Sequence, residues 1–143
     1  MVRMQRAQIG IAVVFIAGMF LNVVAVLIAY VHHAIYFENV KDLLITLLAV
    51  YSGPLAIVFA GVFAKRGVAL RRPALTTFWF AVCVSIAWNL FLVGGSVGLV
   101  AAAFGNSAKE GAVEEFTSYL RTISSSATFM VSGALTYFFA RGE

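Results

Sequence analysis

Four long runs of apolar residues, separated by short charged connectors, make up nearly the whole chain. They cover Ile9–Tyr30, Leu43–Ala64, Ala74–Ala101 and Phe116–Phe139, each near or above the ~20 residues that a helix needs to cross a bilayer. The pattern predicts an all-α integral membrane protein: one domain of four transmembrane helices, with no room for a separate soluble domain. The first run is too long for the apolar core of a cleaved signal, so it reads as a first span that also anchors the chain.

The fourth run differs from the others. Wound as a helix, it brings Glu114, Ser118, Arg121, Ser125, Thr128, Ser132 and Thr136 into one line, because steps of three and four return to the same face. Ile123, Ala127, Met130, Ala134 and Tyr137 occupy the opposite face. From Glu114 to Thr136 the rise is about 33 Å, close to the depth of the hydrocarbon. A polar stripe is therefore expected across the full membrane, facing water or protein. Serine and threonine can bond carbonyls of their own helix, which eases their burial in lipid. Arg121 has no such outlet and must snorkel outward or meet a partner.

Charge fixes the expected orientation. Arg3, Arg6, Lys65, Arg66, Arg71, Arg72 and Arg141 flank one side, while the other carries Lys41, Lys109 and most of the carboxylates. The positive side faces the cytoplasm, so both termini and the middle connector are expected there, in a plasma (inner) membrane protein. The composition agrees: 62% of residues are hydrophobic and only 11% charged, far from the balance of a soluble domain. Basic residues gather only at span ends, which argues against a nucleic-acid partner. The single Cys83 has no internal disulfide partner.

Polar residues inside the other spans are the remaining candidates. Asn22 and Asn89 fall near the midplane, and Gly18, Ala25 and Ala29 share the face of Asn22. Such residues either lock helices together or line a polar path. Ser52, Gly53 and Pro54 mark an expected kink in the second helix, since Pro54 removes a donor and crowds the carbonyl of Val50. Gly94 and Gly98 form a small-residue ridge suited to helix packing. His32, His33 and Glu38 could ligate a metal, but adjacent histidines diverge on a helix, so no metal is expected. LTTFWF at Leu75–Phe80 is similar to a short motif of small fluoride channels; the glycine- and asparagine-rich motifs that accompany it there are absent, and no family follows from it.

Neither a nucleophile–base set nor a phosphate-binding loop is present, so no enzyme and no cofactor are expected. The function expected first is a homo-oligomeric pore or ion channel with the fourth helix lining its lumen. An accessory or assembly subunit among partner membrane proteins is the alternative. A small secondary transporter ranks third, because no acidic residue lies deep in a span to couple proton movement.

Overall fold

The structure, a computed structural model, describes residues 2–64, 75–105 and 111–140. Within them the chain is all α: α1 (Val2–Val31), α2 (Phe37–Ala64), α3 (Leu75–Phe104) and α4 (Ala112–Ala140). Three of these contain segments long and apolar enough to cross a membrane, namely Gln8–Val31, Phe37–Phe63 and Phe78–Phe104. This is a membrane-embedded protein. α4 has the length, at 29 residues, but its hydroxyls and charges dilute its hydropathy. The connectors expected at Lys65–Pro73 and Lys109–Glu110 lie outside the described residues.

α1 closes with a turn that glycine usually makes. The Ala34 N–H reaches the Ala29 carbonyl at 3.0 Å and the His33 N–H reaches that of Tyr30 at 2.9 Å, which is a Schellman closure. His33 holds the left-handed position, at φ 58°. The His32 ring lies 4.3 Å from that of Phe104, tying this turn to the end of α3. Both histidines thus have structural work in the turn. α2 then runs unbroken through Pro54.

The four helices form a ring in the order α1–α2–α4–α3, and among the described residues the diagonal pairs do not approach backbone to backbone. Phe78 meets Phe138 and Tyr119 meets the Phe91 carbonyl, so α3 and α4 are antiparallel. His32 meets Phe104 and Asn22 meets Ser96, so α1 and α3 run parallel. α2 and α4 are parallel as well, with Gly53 beside Thr128 and with Thr46 and Arg121 lining one groove nearer both N-terminal ends. Large side chains fill the interior, with Phe15, Tyr51, Trp88, Leu92, Leu120, Leu135 and Phe138 all fully buried. Among the described residues these side chains occupy the interior of the ring.

Gly94 and Gly98 take no part in packing within the ring. Both are exposed, and an added Cβ at either would meet nothing within 4 Å. The close approaches are at Gly18 and Gly95 instead. A Cβ on Gly18 would fall 1.7 Å from Asn89 Oδ1, and one on Gly95 would fall 2.3 Å from the Tyr119 ring. Small residues permit contact, but the neighbour's shape decides which of them are used.

Candidate functional site

Two polar assemblies stand out, one inside the ring and one on its rim. The inner one is built on Tyr51, whose hydroxyl accepts from Asn22 Nδ2 at 3.0 Å and donates to Asn89 Oδ1 at 3.0 Å. A single α2 side chain thereby reaches across the ring and links α1 to α3. Asn22 Nδ2 also donates to the Gly18 carbonyl at 2.8 Å, and Asn22 Oδ1 accepts from the Ser96 hydroxyl. Asn89 Nδ2 donates to the Ser85 carbonyl at 2.8 Å. Asn22, Tyr51, Ser85, Asn89 and Ser96 are all buried. Buried amides in an apolar interior are costly unless paired, and here the pairing of Asn22 is complete.

Gly18 makes this geometry possible, since any side chain there would occupy the position of Asn89 Oδ1. Tyr51 and Ser96 acquire their roles only in the folded ring. A tyrosine far from the membrane interface was the available sign, because its hydroxyl demands a partner when buried. The network is neutral. It fastens three helices and supplies neither a charge nor a nucleophile for chemistry.

The rim assembly lies between α2 and α4. Towards the N-terminal ends of both helices, an open groove of about 660 Å³ is lined by Asn39, Asp42, Thr46, Glu114, Ser118 and Arg121, with Ile45, Val113, Thr117 and Thr122. Asp42, Glu114, Ser118 and Arg121 are exposed. Among the described residues Arg121 forms no ion pair. Neighbouring hydroxyls turn to their own helices: Thr46 to the Asp42 carbonyl at 2.8 Å, Thr122 to that of Ser118 at 2.9 Å and Ser52 to that of Ala49 at 2.7 Å.

Below the groove the stripe continues along the same flank. Thr128 is half-buried against Gly53, with its Oγ1 buried and unpartnered. Ser132 is half-buried and Thr136 exposed, while the Ser125 side chain lies outside the described residues. The opposite edge of α4 divides: Ile123, Ala127 and Ala134 pack inward, whereas Met130 and Tyr137 are exposed.

α2 contributes a matching line that the sequence reading missed. Asp42, Thr46, Ala49, Gly53, Ala56 and Ala60 follow steps of four and three, and apart from the half-buried Thr46 all are exposed. The heptad-like spacing of small residues was the signal. Side by side, the two lines give the molecule one face of small, hydroxyl and charged groups. No family model, characterised protein or solved structure matches this chain.

Proposed function

We propose that this protein is a homo-oligomeric membrane pore, built from four-span subunits with both termini on the cytoplasmic side of the plasma membrane. α4 is the fourth span, and α2 bends at Pro54 to follow it. The observation that carries this reading is the α2–α4 face: Glu114, Ser118, Arg121 and Thr136 are exposed, and Thr128 and Ser132 half-buried, on the flank of α4 beside a line of small α2 residues. Side chains occupy the interior of one chain's ring, so conduction requires several copies arranged about this face. Hydroxyls then line the lumen, and Arg121 and Glu114 form charged rings near the outer mouth.

The test is reconstitution. Purified protein should form a closed ring in mild detergent and pass ions in liposomes, and Arg121→Ala should shift the preference away from anions. A monomer without flux sinks the proposal. The second reading, an accessory subunit, is favoured by the outward Gly94 and Gly98, which leave a shallow strip on α3 for a partner helix. Co-purification of one fixed membrane partner, with no current from the isolated chain, would select it.

A further inference from the structure

The groove at the outer end of α2 and α4 combines opposite charges in a fixed vertical order. A Cβ on Gly53 would lie 3.9 Å from the Thr128 methyl, so along these parallel helices Thr46 and Arg121, each seven residues towards the N-terminal ends and both lining the groove, fall at about the same height. Asp42 then lies one turn, about 6 Å, above Arg121, and Glu114 two turns, about 10 Å, above it. Helical side chains lean towards the N-terminus, which is outward for both helices, so all three reach towards the membrane surface. A lone cation would meet the guanidinium, and a lone anion would meet two carboxylates. A ligand bearing a negative group below a positive one satisfies all three.

We propose that this groove binds a phosphate–ammonium zwitterion, with its phosphate on Arg121 and its ammonium between Asp42 and Glu114. Phosphoethanolamine chemistry fits: a guanidinium takes phosphate oxygens two at a time, and a primary ammonium offers three donors to carboxylates. In an outer-leaflet aminophospholipid the phosphate lies nearer the hydrocarbon than the ammonium, which is the order the groove presents. Arg121 also gains the anionic partner that a charge at this depth requires. The inference rests on the outward orientation proposed above and places the ligand at the mouth of the ring, where headgroups and lumen meet.

Lipid retention tests it apart from conduction. The full-length protein is extracted into mild detergent from vesicles of equal phosphatidylethanolamine and phosphatidylglycerol, and retained lipid is counted by mass spectrometry. The wild type should hold phosphatidylethanolamine preferentially. Arg121→Gln, and the pair Asp42→Asn with Glu114→Gln, should each lower that retention about tenfold, whereas Arg121→Lys, which keeps the charge but not the two-pronged donor, should fall between these and the wild type. Circular dichroism checks that each variant folds. Calorimetry with soluble phosphoethanolamine forms the second arm. Heat that these variants abolish, without lipid retention, supports the same site with a solute as its source. Equal retention of the two lipids without such heat, or binding indifferent to the variants, overturns the proposal. Lost flux with retention intact counts against the pore alone.

Discussion

The two parallel helix pairs are built on different plans. α1 and α3 join through buried polar bonds, from Ser96 to Asn22 and through the Gly18–Asn89 approach. Outward they show large apolar groups, such as Phe20, Leu21, Leu90, Phe91 and Val97, each at least 58% exposed. α2 sends Tyr51 into the same network, and α2 and α4 also expose large apolar groups such as Leu48 and Phe129. Among the described residues, however, they add a charged outer flank that α1 and α3 lack. This flank carries a groove and a small, hydroxyl-rich strip, and nearby hydroxyls bond within their own helices. Polarity spent inside a bundle fixes helix position, and polarity placed on its rim waits for something outside. The contrast separates polar groups that are paired inside the ring from charged groups left open on one flank.

The sharpest way to break the contrast is Gly18→Leu. It drives a side chain into Asn89 and should cost ~3 kcal/mol or more, read as a lower thermal midpoint in detergent. Tyr51→Phe comes next. It strips the hydroxyl that both asparagines share and should destabilise by ~1–2 kcal/mol, with Asn22→Ala and Asn89→Ala coupled in a double-mutant cycle. If Tyr51→Phe were neutral in stability, the inner network would not be what fixes the ring. Beside Gly53, Thr128→Val removes a buried, unpartnered hydroxyl and should stabilise by ~1 kcal/mol while altering flux in liposomes. Gly94→Ala should be neutral or gain up to about 1 kcal/mol, because nothing stands within 4 Å of the new methyl. His33→Gly is the smallest, a gain of some tenths of a kcal/mol from relieving a left-handed backbone, seen in the same melting assay.

Much of the helical architecture was legible in the chain. Run length and the lack of charge mark the three long apolar helices, and a period of three and four residues marks the α4 stripe. Asn22 and Asn89 stood out because an amide among apolar residues requires a partner. Their partner could not be named, since Tyr51 reaches Asn89 across the ring only once α1, α2 and α3 are in place. Gly94 and Gly98 show the converse limit: a ridge of small residues fits many neighbours, and sequence spacing does not say which one arrives.

By itself, the sequence determined that this is a helical membrane protein with one polar edge on its last helix, because both properties depend only on residues near one another along the chain. Tertiary structure alone decided the order α1–α2–α4–α3 and the meeting of two asparagines on one tyrosine. It also set the polar edge beside the small face of α2. The reason is that lipid and protein interior are almost equally apolar, so an apolar helix carries little information about which side turns inward. That choice falls to a few polar bonds and close contacts, which exist only after the helices have come together.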